Sequence, residues 1–165
     1  MPSLKALLAK VYAARTYKKI SKWSTNPIET QNRVFQSLIS EAAATNFGVD
    51  HDFISIKSHE DFTERVPVRD YEALKPYVDK VVAGESDVLW KGKPLYFAKT
   101  SGTTSGAKYI PITKESMPSH IEAAKNAILL YINETGNTEV VDRKMIFLQG
   151  SPVLENKNGV QLGRL

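Results

Sequence analysis

The chain has 165 residues, enough for one ordinary domain with a core that needs no disulfide staples. Its 42% hydrophobic and 24% charged residues argue against disorder, collagen and coiled coil, and the absence of cysteine removes disulfide frameworks, zinc–cysteine sites and thiol nucleophiles. Net charge is +4, but residues 1–28 carry six basic residues and no acid; the remaining 16 basic and 18 acidic residues leave a body that is not a nucleic-acid-binding surface by charge.

Residues 4–22 read as an amphipathic helix, with Leu4, Leu7, Leu8, Val11 and Ala14 recurring at helical spacing and lysines mostly between them. A helix packed on the rest of the fold is the plain reading; a membrane-surface helix and an organelle-targeting segment are the alternatives. No run of ~18 apolar residues occurs to span a bilayer, and the N-terminus lacks the apolar core and small-residue cleavage site of a secretory signal. A second helix is predicted over 27–46. Asn26 caps it, Pro27 takes its first position, Glu29 completes a capping box and Gly48 ends it in the left-handed conformation. Its apolar stripe is Ile28, Phe35, Leu38, Ile39 and Ala42.

A short helix follows Ser58, with Asp61 three residues on and Pro67 as its stop. Residues 70–83 read as another helix, kinked or broken at Pro76 and ended by Gly84, with Tyr71, Leu74, Tyr77, Val78 and Val81 facing one way. Asp87–Trp90 and Pro94–Ala98 read as strands, then a polar glycine-bearing run over 99–108, then a strand at Tyr109–Ile112. A long helix is expected over 114–135, with Met117, Ile121, Ala124, Ile128 and Ile132 as its buried face, Thr113 or Ser116 as cap and Gly136 as stop. Lys144–Gln149 reads as a buried strand, Gly150–Asn158 as a loop and Gly159–Leu162 as the start of one more strand. Helices followed by strand–loop–strand–helix–strand predict an α/β fold. The helical layer covers about 1–85 and the α/β region about 86–165. The chain breaks off just as its last strand begins, which reads as the N-terminal part of a longer polypeptide.

The chemistry concentrates in one run. Thr100, Ser101, Gly102, Thr103, Thr104, Ser105, Gly106, Ala107 and Lys108 lie between two predicted strands. Glycines let backbone amides turn toward an anion, hydroxyls add donors to phosphate oxygens, and the lysine supplies a point charge. The plain alternative is a hairpin turn, since Gly, Ser and Thr are common turn residues. The spacing G-x-x-x-G-x-K followed by a strand is neither the Walker A pattern nor a G-x-G-x-x-G dinucleotide fingerprint. His51, His59 and His120 are scattered, without a carboxylate at metal-ligand spacing, and read as surface or satisfied histidines. Trp23 and Trp90 read as packing residues. Gln149-Gly150-Ser151 does not complete a G-x-S-x-G elbow.

Thr100–Lys108, TSGTTSGAK, resembles the first nucleotide motif of the acyl-adenylate-forming superfamily. With Val66-Pro67-Val68-Arg69-Asp70-Tyr71-Glu72, Lys75-Pro76-Tyr77-Val78, Gly84-Glu85-Ser86-Asp87-Val88-Leu89 and Pro111, the chain is similar to the auxin-responsive acyl-acid amido synthetases. The resemblance implies the N-terminal portion of the large domain of such an enzyme, spanning 1–165, with the later motifs and the small C-terminal domain outside this chain.

It further implies a cytoplasmic ligase that activates a carboxylic acid with ATP and Mg²⁺ as an acyl-adenylate and passes the acyl group to an amino acid. Thr100, Ser101, Gly102, Thr103, Thr104, Ser105, Gly106 and Lys108 would hold the phosphates, Lys108 would act catalytically, and most Mg²⁺ ligands would lie outside this chain. By itself the chain is expected to be inactive. Two rivals remain: an acyl- or aryl-CoA ligase, differing only in the acceptor, and a non-catalytic module that docks on a membrane or a partner through the basic N-terminal helix.

Overall fold

The computed structural model describes residues 3–100, 108–144, 146 and 155–164. By its internal contacts the chain divides into two units, Met1–Asn32 with Glu115–Leu148, and Arg33–Lys114 with Gln149–Leu165.

The first unit holds α1 (Leu4–Ser24), α6 (Met117–Thr135) and α7 (Glu139–Asp142). Ser3 caps α1, accepting from the Ala6 N–H at 3.0 Å, and its hydroxyl donates to the Asp142 carboxylate. The face that α1 buries is not the predicted stripe. Leu4, Leu7, Leu8 and Val11 are exposed (73, 57, 60 and 47%), whereas Ala6, Ala13 and Thr16 are buried. The small residues form the opposite face of the helix, and they let its backbone approach α6, where Ala13 packs with Leu129 and Ile132. On α6, Leu129 and Ile132 are buried while Ile121, expected in the core, is 61% exposed. Trp23, expected to pack, is half exposed. Gly136 ends α6 at φ 69°, its N–H donating to the Ile132 carbonyl, as the sequence predicts.

The second unit begins within α2 (Pro27–Ala42), where the Asn26 carbonyl accepts the first helical bond from Thr30. Ile39 and Ala42 are buried; Ile28 and Leu38, predicted on the same stripe, are exposed. The predicted 27–46 helix is two helices. α2 stops at Ala42, and Thr45 starts α3 (Asn46–Asp50), its hydroxyl oxygen accepting from the Gly48 N–H at 3.0 Å. Gly48 is therefore not a left-handed stop. It lies inside α3, where a Cβ would stand 2.1 Å from the Ala42 carbonyl oxygen.

α4 (His59–Arg65) opens on the complete capping box the sequence predicts. Asp61 N–H donates to Ser58 Oγ, and Asp61 Oδ2 accepts from the Lys57 and Ser58 amides at 2.8 and 2.9 Å. Those amides hold the Asp61 carboxyl below the usual carboxylate range, so its contribution to stability is present above the ordinary aspartate value of 3.8 and is lost as pH falls below it. α5 (Tyr71–Val82) is capped by Asp70 and runs through Pro76 as one element rather than two. It ends in a Schellman motif: Gly84 (φ 97°) donates to the Val81 carbonyl and Glu85 to that of Lys80.

Asp87–Trp90 is not a strand. Asp87 sits at φ 58° and closes a loop with Gly92, exchanging bonds through both its backbone and its carboxylate. The carbonyls of Asp87 and Val88 accept from Asn46 and Phe47 at the start of α3, so they are already paired and offer nothing to a ladder. Val88 still reaches the core without strand geometry.

The sheet of the second unit has order β2–β1–β4–β3: β1 (Tyr96–Lys99), β2 (Tyr109–Ile112), β3 (Glu155–Lys157) and β4 (Val160–Arg164). β1 pairs antiparallel with β2 and parallel with β4. Pro111 lies on β2, an edge strand among the described residues, where a missing N–H is tolerated. β3 lies in a segment predicted as loop. Asn158 and Gly159, both at positive φ (52 and 83°), make the two-residue turn that pairs Lys157 with Val160. The strand predicted at Lys144–Gln149 lies largely outside the described residues.

Candidate functional site

β1 and β2 form a hairpin in register Lys99↔Tyr109, and the polar run is its loop. The run is therefore a hairpin connection, and a long one. Of the eight predicted phosphate-binding residues, Thr100 and Lys108 are described; Ser101, Gly102, Thr103, Thr104, Ser105 and Gly106 lie outside the described residues. Thr100 and Lys108 close the neck of the loop. The Thr100 N–H donates to the Lys108 carbonyl at 3.1 Å, and the Lys108 N–H donates to Thr100 Oγ1 at 3.3 Å. The two ends of the seven-residue segment between them are thus held together.

α5 packs against this hairpin through a core of Val78, Val81, Val82, Val88, Phe97, Val160 and Leu162, with Tyr71 and Tyr109 on its rim. The packing brings the first residue of α5 to the first residue of β2. The Tyr71 hydroxyl accepts from the Tyr109 N–H at 2.9 Å, and the Lys108 ammonium stands over the Tyr71 ring, 5.3 Å from its centre. Lys157 stands likewise over Tyr109 at 4.9 Å, and Tyr109 meets Phe97 edge to face. Among the described residues no carboxylate pairs with Lys108.

The histidines are placed as the sequence suggests. His59 and His120 are exposed; His51 is buried and satisfied. His51 Nδ1 lies 2.7 Å from the Phe47 carbonyl oxygen and Nε2 lies 2.9 Å from an Arg69 guanidinium nitrogen. Both ring nitrogens of His51 are thereby engaged, one by the carbonyl and one by the guanidinium. Arg69 also lies over Phe47, and the Tyr77 hydroxyl donates to Asp50, so the segment leading into α5 is tied to α3. Burial and the Asp50 carboxylate push the Tyr77 phenol up. Arg69, Tyr71 and Tyr77 all stand in the motif residues read above, but their partners were not visible in the sequence. Among the described residues no group of three or more His, Asp or Glu side chains is placed to hold a metal ion. No helix among the described residues is long and apolar enough to cross a membrane.

Comparison with known proteins matches the model of the GH3 family N-terminal domain to residues 16–165. An indole-3-acetic acid-amido synthetase, GH3.15 of Arabidopsis thaliana, is 29% identical over 143 residues, covering 84% of this chain and 23% of that protein. The jasmonoyl-L-amino acid synthetase JAR4 of Nicotiana attenuata is 25% identical and is covered to 23% by 81% of this chain. Among solved structures, the AtGH3.15 acyl acid amido synthetase in complex with 2,4-DB superposes with a TM-score of 0.78 at 22% identity, over 92% of this chain and 26% of that one. That match is the mixed α/β architecture expected from the sequence. The chain spans about a quarter of the length of these relatives.

Proposed function

Since the chain belongs to the GH3 family, we propose that it is the phosphate-binding N-terminal portion of the large domain of an ATP-dependent acyl-acid amido synthetase. In the reaction a substrate carboxylate oxygen attacks the α-phosphorus of ATP, the bond to the bridging oxygen breaks, and pyrophosphate leaves. An amino acid amine then attacks the acyl carbon, the carbon–oxygen bond to AMP breaks, the amine gives up a proton, and an amide forms. The enzyme must bring an anionic carboxylate to a polyphosphate and support the charge of the departing pyrophosphate. The residues proposed for this are Thr100, Ser101, Gly102, Thr103, Thr104, Ser105, Gly106 and Lys108, the glycines through their amides, the others also through hydroxyls, and Lys108 through its ammonium.

The observation that carries the reading is the neck: Thr100 and Lys108 clasp the loop and leave the Lys108 ammonium without a carboxylate partner among the described residues. The test is pyrophosphate release by the full-length polypeptide against a panel of carboxylic acids with ATP and Mg²⁺. Acid-dependent release that Lys108→Ala lowers by about a hundredfold or more is expected, on the scale of removing one charge-stabilising donor. Amide formation with an amino acid, and no thioester formation with coenzyme A, separates this reading from a CoA ligase. Absence of both ATP binding and release overturns it.

A further inference from the structure

We propose that Tyr71 is a positioning residue for Lys108, holding the ammonium of the phosphate loop in place through its ring while its hydroxyl fixes the strand on which that lysine's neighbour lies. The role rests on the adenylation reading of the loop. Two contacts converge on one side chain: Lys108 over the ring at 5.3 Å, and the Tyr109 N–H on the hydroxyl at 2.9 Å. Tyr71 itself is fixed, since it is the first residue of α5 behind the Asp70 cap and packs on the core beneath the sheet. It therefore transmits the position of a rigid helix to the exit of the loop.

An aromatic ring suits this task better than a carboxylate. A lysine stem carries several rotatable bonds, and ordering it on phosphate binding costs conformational entropy. A ring orders the stem beforehand. Its attraction for an ammonium at a half-exposed site is weak and leaves the charge uncompensated. A carboxylate would neutralise that charge and compete with the phosphate. An incoming polyphosphate thus takes the ammonium from the ring at little cost.

The hydroxyl and the ring separate by substitution. Tyr71→Phe keeps the ring under Lys108 and loses the acceptor for Tyr109; Tyr71→Leu loses both. The first measurement is NMR of the chain with lysines labelled at the ε-carbon. The Lys108 ε-methylene protons are expected upfield of the other lysines through the ring current, to stay there in Tyr71→Phe, and to return to the common position in Tyr71→Leu. The second is acid-dependent ATP–pyrophosphate exchange by the full-length polypeptide, with the fold of each variant checked by circular dichroism. Tyr71→Leu is expected to lower kcat/KM for ATP about three- to tenfold. In the Lys108→Ala background it should lower it no further than Tyr71→Phe does, because both variants lack the hydroxyl and the ring then has nothing to hold.

A merely structural role predicts the same loss in both backgrounds, and that result overturns the proposal. An unshifted Lys108 signal with exchange intact overturns it as well and leaves the adenylation reading standing. A shifted signal with neither ATP binding nor exchange for any acid overturns the adenylation reading, and the role assigned to Tyr71 falls with it.

Discussion

A missing methyl group decides the turn between α2 and α3. The Ala42 carbonyl accepts both the N–H and the hydroxyl of Thr45, at 3.0 and 2.7 Å, and Gly48 comes so close that a Cβ would lie 2.1 Å from its oxygen and 3.0 Å from its carbon. Thr45 is 2% exposed, so no slack is available on that side. The obstacle is backbone, not the free end of a side chain, and cannot rotate away. Gly48→Ala should therefore destabilise the chain by about 1–3 kcal/mol, the usual range for overpacking, even though alanine is the better helix former. Urea denaturation followed by far-UV circular dichroism measures this; an unchanged or raised midpoint would show that the two helices separate freely. Position 48 was read from the sequence as a helix stop because glycine there follows an apolar stripe. The close approach that demands it depends on a carbonyl six residues earlier and is not a local signal.

At the scale of elements, α1 packs through its small residues. Ala13 is fully buried against Leu129 and Ile132, and the leucines point the other way. Ala13→Leu is expected to cost about 1–3 kcal/mol by overpacking, whereas Leu8→Gln should change stability by no more than about 0.5 kcal/mol, as at an ordinary surface position. Thermal unfolding of the two variants reads the difference, and the reverse order would restore the leucine stripe as the packed face. Helix ends were legible where the signal is local: the Ser58 capping box, Gly84 and Gly136 each satisfy orphan backbone groups within a few residues. Which face is buried was not legible in α1, because an apolar stripe says nothing of what lies opposite it. Asp87–Trp90 was misread because α3 uses its carbonyls. The Asn158-Gly159 pair was a local hairpin signal that the polar residues around it obscured. Thr100 and Lys108 stand out in the sequence by composition and resemblance, and they close the neck of the hairpin connection. The hold of Tyr71 on the loop exit was not, since it joins positions 38 residues apart.

In the proposed reading Thr100 and Lys108 serve a polyphosphate, and among the described residues no group of three or more His, Asp or Glu side chains is placed to hold a divalent cation. Adenylation needs both, together with surfaces for adenine, the acid and the amine. The chain is about a quarter as long as relatives named for the complete reaction. Its sheet begins at β2 and ends at β3 among the described residues, two strands whose outer edges are rows of backbone donors and acceptors of the kind another strand pairs with. We therefore expect the 165-residue chain alone to give no acid-dependent ATP–pyrophosphate exchange under conditions in which the full-length polypeptide turns over. The chain should still bind polyphosphate weakly through Lys108, an attraction that falls as salt rises because the site is open to solvent. Isothermal titration with inorganic tripolyphosphate at low and high ionic strength, on the chain and its Lys108→Ala variant, measures that residual capacity. Salt-sensitive binding lost in the variant places the charge function in this part of the molecule and the remaining chemistry elsewhere; full exchange by the short chain would overturn that division of labour.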